Sequence, residues 1–286
     1  MTATDLAADL TARLDAVGAA LPPTGGRLRV GTDDALRPTA CPAFGFAPGD
    51  EFRWSTVNAR RILGLGVLAR LADPPPRPDE DLPDLVAATF DTVLRSTRPE
   101  EGSIEAWLAG LDAVAVATLR RSVVTWATGA APHLLPPGPT GRIVLRGART
   151  WEPRRGRFRL RAHLDVEAPD GDAVVTRGRI GAPGEARTVA ACAALLSRLA
   201  DRGPARVRVV VPDAAHVDVF TVDDALLAQG VDAFVTAAGT AVVAQDGDER
   251  LPRVPGVHCW ACPRRATCAP GGDWLGGRRN GGGARG

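Results

Sequence analysis

The sequence predicts an α/β fold. Its first 140 residues carry apolar side chains at the three- and four-residue spacing of helices, and from about residue 141 the period shortens to the two residues of strands. A further helix and a short, almost wholly apolar strand follow. Helix, three strands, helix, strand is an order in which helices can pack against one sheet.

The elements follow in order. "TDLAADLTARLDAVGAAL" has helical spacing and ends in the breaker "PPTGG". "STVNARRILGLGVLARLA" stops at the proline run Pro74 to Pro76, and "DLPDLVAATFDTVLRST" stops before Pro99. A longer helix is expected from 103 to about 128, with Ser103 as its cap and Glu105 in its first turn. Past "PPGPTG", the segments "RIVLRGARTW", "RFRLRAHLDVEA" and "DAVVTRGRI" read as three successive strands, the last two joined by the turn "PDGD". "GEARTVAACAALLSRLADRG" is then a helix with a glycine stop, and "ARVRVVVPD" a strand buried on both faces. A last helix is expected across "TVDDALLAQGVDAFVTAAGTAVVAQ", with Gly230 as its weak point. This organisation makes one domain over 1–270: helical to 140, sheet core 141–215, and C-terminal helix with a cysteine segment 216–270. The glycine-rich tail 271–286 is expected to be disordered.

Composition narrows the function. Hydrophobic residues make up 45% of the 286, ample for a packed core. Thirty-five basic against 33 acidic side chains leave a formal charge of +2, so any preference for nucleic acid must come from a local patch. There is no lysine and no tyrosine, which excludes chemistry that needs either. The start "MTATDLAADL" carries two acids where a signal peptide needs positive charge, and no segment reads as membrane-spanning. A cytoplasmic location without membrane contact is therefore expected, and thiols there stay reduced, so clustered cysteines read as metal ligands.

Three cysteines, Cys259, Cys262 and Cys268, stand in "CWACPRRATC" at C-x2-C-x5-C spacing, one short of a tetrahedral set. Cys192 lies in the apolar run "VAACAALL" and reads as a small core residue. Cys41, before a proline in "PTACPAFGF", is the candidate fourth ligand. Four thiolates suit zinc or an iron-sulfur cluster alike. A site joining the two ends of the chain would staple the fold shut.

"TACP" at Cys41 and "PGVHCWACPRRATCAPG" near the end resemble the early and closing motifs of the iron-staple nucleases of the P-D-(D/E)-x-K superfamily, such as the AddB nuclease domain and the RecB-like exonucleases of CRISPR adaptation. The resemblance covers about residues 27–270 and includes Pro255, His258, Pro263 and Pro270 beside the cysteines. It implies a restriction-endonuclease-like α-β-β-β-α-β core with an N-terminal helical region, and a [4Fe-4S] cluster on Cys41, Cys259, Cys262 and Cys268. It also implies magnesium-dependent DNA exonuclease chemistry, in which two carboxylates bind the cation and a lysine positions the attacking water.

That catalytic set is where the sequence departs from the family. Asp165 in "AHLDV" stands at the second-strand carboxylate, but the third strand has Thr176, Arg177 and Gly178 where D-x-K belongs. A histidine expected upstream falls at Ala69, and a Q-x-x-x-Y falls within "ARTVAACAA" with neither residue present. Arg179 is a poor substitute for lysine because its guanidinium stays protonated. Glu152 and Glu167 are further carboxylates on neighbouring strands, read as solvated strand-face residues.

Eight arginines lie between Arg142 and Arg161, and Arg154, Arg155, Arg157, Arg159 and Arg161 are the candidate phosphate contacts. Trp151 and Trp260 are candidates to stack on bases or to shield core and cluster, and His163 and His258 read as supporting or surface residues. The preferred expectation is a catalytically degenerate nuclease-like protein that binds DNA, single strands or ends, or a helicase or nuclease subunit, in repair or recombination. An active magnesium-dependent exonuclease around Asp165, and an iron-sulfur scaffold or redox sensor without nucleic acid, are the alternatives.

Overall fold

The computed structural model describes residues 2–21, 26–43, 54–72, 76–77, 79–96, 104–135, 142–143, 148–153, 156–167, 172–178, 180, 184–200, 203–245, 251–262 and 265–280. The chain is α/β, with two mixed sheets among those residues.

The first helix, α1 (Ala3–Gly18), is capped reciprocally. Thr2 Oγ1 accepts from the Asp5 amide, and the Asp5 carboxylate accepts from the Thr2 amide at 3.1 Å. Its Leu6, Leu10 and Leu14 stripe is fully buried. Strand β1 (Leu28–Gly31) and helix α2 (Thr32–Ala40) follow, neither of which the sequence patterning revealed. Helices α3 (Thr56–Leu71) and α4 (Leu82–Ser96) form as expected, α3 with a capping box between Ser55 and Asn58.

The long helix expected from 103 to about 128 is two helices, α5 (Ile104–Ala109) and α6 (Ala113–Leu134). The amides of Gly110 and Leu111 close tight turns on Trp107 and Leu108, and Asp112 Oδ1 accepts from the Ala115 amide at 2.7 Å to start the second helix. Ser103, the expected cap, lies outside the described residues.

The expected three long strands are five shorter ones: β2 (Arg142–Ile143), β3 (Ala148–Trp151), β4 (Phe158–His163), β5 (Val166–Glu167) and β6 (Asp172–Thr176). In β4 the inward residues are Phe158, Leu160 and Ala162, with Arg159 and Arg161 outward. Alternation then fails, because Leu164, Asp165 and Val166 are all buried. Leu164 joins one hydrophobic cluster and Val166 the other, so the chain turns there and passes from one sheet to the next.

Helix α7 (Glu185–Leu199) and strand β7 (Arg206–Val211) follow, then β8 (His216–Thr221), the helix α8 (Asp224–Gln245) and α9 (Ala269–Asn280). The smaller sheet runs β1-β4-β3, with β1 parallel and β3 antiparallel to β4. The larger runs β2-β5-β6-β7-β8; only β6 and β7 are parallel, with α7 as their crossover. β8 was not expected from the sequence and extends the sheet past residue 215 as an antiparallel edge.

The centre of the larger sheet is covered on both faces. Ala173, Val175, Val207 and Val209 face the cluster built by α1, α7 and α8, while Val174 and Val210 face that built by α3, α4 and α6. This double burial explains the uninterrupted apolar run of β7. α8 is long and apolar enough by composition to cross a membrane, yet its Leu226, Leu227, Val231, Phe234, Ala237 and Ala238 pack into the core. It also runs unbroken through Gly230, the expected weak point. The tail expected to be disordered from 271 instead forms α9 to residue 280. Residues 281–286 lie outside those described.

Candidate functional site

Asp165 sits in the turn between β4 and β5 with its side chain wholly buried. Its backbone N–H donates to the Val174 carbonyl at 2.9 Å, which fixes the turn against β6. Carboxylate Oδ2 accepts from the Thr176 amide at 2.6 Å and from the Thr176 hydroxyl at 2.7 Å. Oδ1 accepts from Arg61 Nη2, and Arg61 Nε donates to the Thr176 hydroxyl at 3.0 Å. Every group in this triad therefore has a partner, and the negative charge has its counter-charge in a guanidinium delivered by α3. A divalent cation would have to displace that guanidinium to reach Asp165.

The neighbouring acids do not assist. Glu152 accepts from Arg27 and Arg159, and the hydrogen bond from Arg159, with the charges of both arginines, holds its carboxyl below the ordinary value. Glu167 pairs with Arg149. Arg177 is drawn to Asp33 in the first turn of α2, at 2.8 Å. Arg179 lies outside the described residues.

The outer face of the smaller sheet carries the basic surface. The pairing of β1 with β4 sets Arg29 beside Arg159 and Gly31 beside Arg161, and β3 brings Thr150 opposite Arg161 and Ala148 opposite His163. Two clefts open here, of about 550 and 540 Å³, and both are lined by Arg161, His163 and Asp33. The first is bordered by Arg29, Arg159 and Thr150. The second is bordered by Trp54, Ile62, Arg60 and Arg61. Burial, reinforced by the Arg61 charge, pushes the His163 imidazole below its ordinary pKa of 6.5. It stands neutral beside the arginines at pH 7.

Of the expected phosphate contacts, Arg159 and Arg161 lie on this face, Arg159 in an ion pair with Glu152. Arg157, just before β4, is half-buried and lays its stem near Gly18. Arg154 and Arg155 lie outside the described residues. Trp151 packs against the core beside α7, whereas Trp260 is 46% exposed. Sequence reasoning missed Arg29, Arg61 and Trp54. The available signal was "WSTVNARRIL", where an aromatic precedes a helix cap and two arginines interrupt an apolar helix.

Cys192 is fully buried in α7, and burial pushes its thiol up to about 12, which makes it an inert core residue. The other four cysteines lie outside α7. Cys41 directly follows α2, packs with Ala43 and Leu251, and its Sγ stands 3.9 Å from the Pro252 carbonyl. The segment that follows leads into a 3-10 turn, Val257–Ala261, which holds Cys259, with Cys262 just beyond it. The Gly256 amide donates to Cys259 Sγ at 3.4 Å, and Cys268 is the residue before α9, its carbonyl accepting from Gly272. A Cβ added to Gly271 would lie 3.4 Å from the Sγ atoms of both Cys259 and Cys268. These two sulfurs thus border one notch that the glycine leaves open. Among the described residues, no three of His, Cys, Asp and Glu stand together closely enough to hold one ion.

Of the four expected sulfurs, those of Cys259 and Cys268 border the same notch, and among the described residues they are not joined by a third ligand. The His258 Nε2 stands 2.9 Å from the Val254 carbonyl. No family model matches this chain, and no curated protein matches it.

Proposed function

We propose that this chain is a catalytically degenerate nuclease-like protein of the restriction-endonuclease-like α-β-β-β-α-β type, which binds DNA in repair or recombination without cutting it. What carries the reading is the ion pair of Arg61 with Asp165. In a hydrolytic site the carboxylate must be open to a cation that makes hydroxide from water and offsets charge on the phosphate. On this reading the Arg61 guanidinium, paired with Asp165, stands in for the cation, and Thr176, which donates to the same carboxylate, stands in for the second carboxylate. The site keeps the charge balance of a metal centre and loses its ability to activate water. The basic face and its clefts remain, which suits binding to a sugar-phosphate strand or to a strand presented by a nuclease or helicase subunit. A cytoplasmic location is part of the same reading.

Cys41, Cys259, Cys262 and Cys268 would hold a [4Fe-4S] cluster, with zinc as the competing occupant. Such a group supplies a cross-link between distant stretches of chain. The residues contribute the sulfur set, the amide of Gly256 and the notch at Gly271.

Chain purified without oxygen is expected to carry about four iron atoms and to be brown, and Cys268→Ser to lose the iron and melt at lower temperature. Stoichiometric zinc without iron would replace the cluster with a zinc staple, and neither metal would remove the staple altogether. In the same preparation the affinity for single-stranded DNA should fall linearly in log-log form as salt rises. An affinity insensitive to salt, or no binding at all, would contradict the nucleic-acid reading.

A further inference from the structure

The two clefts share Asp33, Arg161 and His163, and the rest of their walls differ in kind. The apolar lining of the Trp54 cleft is Trp54, Val57 and Ile62 with buried Trp126, and Asn58, Arg60 and Arg61 are among its polar residues. The Arg29 cleft is polar, with Arg29, Arg159, Thr150 and the first turn of α2. Five arginines against two aspartates line the pair. Both aspartates are engaged, Asp33 with Arg177 at 2.8 Å and Asp34 with the Gly31 amide at 2.6 Å. Arg60 is held by Asp213, Arg61 by Asp165 and Arg159 by Glu152. Arg29 and Arg161 have no ion-pair partner among the described residues.

A cleft walled by Trp54, Ile62 and Trp126 beside an uncompensated guanidinium, with a second guanidinium in the adjoining cleft, suits the alternation of base and phosphate along a single strand. We propose that one unpaired base of a single-stranded nucleic acid enters the Trp54 cleft, with its phosphate on Arg161 and the next phosphate in the Arg29 cleft. This rests on the nucleic-acid reading above and specifies its ligand. The volume of the Trp54 cleft, about 540 Å³, is that of a small-ligand site and exceeds what a lone phosphate needs. Neutral His163, which lines both clefts, adds a hydrogen-bonding ring and no charge at pH 7. A base inside a duplex reaches such a slot only by leaving its stack, so single strands are preferred to duplex.

The test is fluorescence anisotropy at fixed low salt with three labelled probes: an oligo-thymidylate, the same backbone without bases, and a duplex. The native chain is expected to bind the oligo-thymidylate most tightly. Trp54→Ala should weaken it about five- to hundredfold, the range of one base stacked on an aromatic ring, while leaving the baseless backbone unchanged. Trp54→Phe should restore most of the loss. Arg29→Gln, on the exposed face of β1, and Arg161→Gln should weaken both single-stranded probes and reduce the salt slope by about 0.7 each. If the native chain binds DNA but Trp54→Ala and Arg161→Gln bind the oligo-thymidylate as it does, the subsite is overturned and the broader reading survives. Equal affinity for thymidylate and baseless backbone has the same consequence. A native chain that binds none of the three overturns both.

Discussion

Asp165→Ala is expected to destabilise the fold by about 3–5 kcal/mol, the usual consequence of removing one member of a buried ion pair. The carboxylate has no exposed surface, and it satisfies the Thr176 amide, the Thr176 hydroxyl and the Arg61 guanidinium together. Without it, a backbone amide, a side-chain hydroxyl and a cation are left facing a cavity. The Arg61 side chain is 21% exposed, so water reaches part of its charge and the loss should fall in the lower half of that range. Thr176→Val, which removes one hydroxyl from the network, should cost about 1 kcal/mol. Chemical denaturation at equilibrium measures both. An Asp165→Ala variant as stable as the native chain would mean that the pair has no structural role, and that Asp165 is buried for another reason.

The second large effect lies at the contact between α7 and α8. Gly230→Ala would ordinarily stabilise a helix interior by about 1 kcal/mol, because alanine is the better helix former. Here an added Cβ would stand 2.6 Å from the Ala191 carbonyl oxygen and 3.1 Å from Leu195 Cβ. Backbone cannot swing aside as a side-chain tip can, so the helices must separate, at an overpacking cost of about 1–3 kcal/mol. A net loss of stability is expected. Gly239→Ala, in the same helix with nothing within 4 Å of the new atom, should give the ordinary gain of about 1 kcal/mol. Opposite signs at two glycines of one helix would isolate packing from propensity; gains at both would show that α7 and α8 yield easily.

Gly230 also illustrates what a sequence reveals and what it hides. Its helix was legible from apolar spacing, yet the glycine reads as weakness until the facing carbonyl of Ala191 is known. The same holds at 164–166. Alternation along β4 was legible, but the turn that moves the chain between sheets depends on two hydrophobic clusters facing opposite ways, which no local period records. "HVDVF" alternates as an edge strand should, but it is too short and too polar to stand out beside the long apolar helix after it. β1 and α2 are similarly brief, and β1 is fixed by β4, more than a hundred residues later.

At the site, Asp165 was legible as an isolated carboxylate. Its neutralisation by Arg61 was not, since the two are far apart in sequence and only the packing of α3 over β6 joins them. The cysteine spacing is the basis of the proposed thiolate site, of which the structure brings Cys259 and Cys268 to one notch. The approach of Cys41 to Pro252, shortly before the terminal cysteines, depends on how the residues after α2 lie beside those after α8.

The most direct test of the closed Asp165 site is titration with manganese, followed by the loss of the free-ion electron paramagnetic resonance signal and by cleavage of single-stranded DNA in the same samples. Arg61 already neutralises Asp165, so the native chain should remove no stoichiometric manganese at submillimolar concentration and should leave the DNA whole. Uptake of one or two ions per chain with progressive shortening of the strand, both lost in Asp165→Asn, would contradict the account.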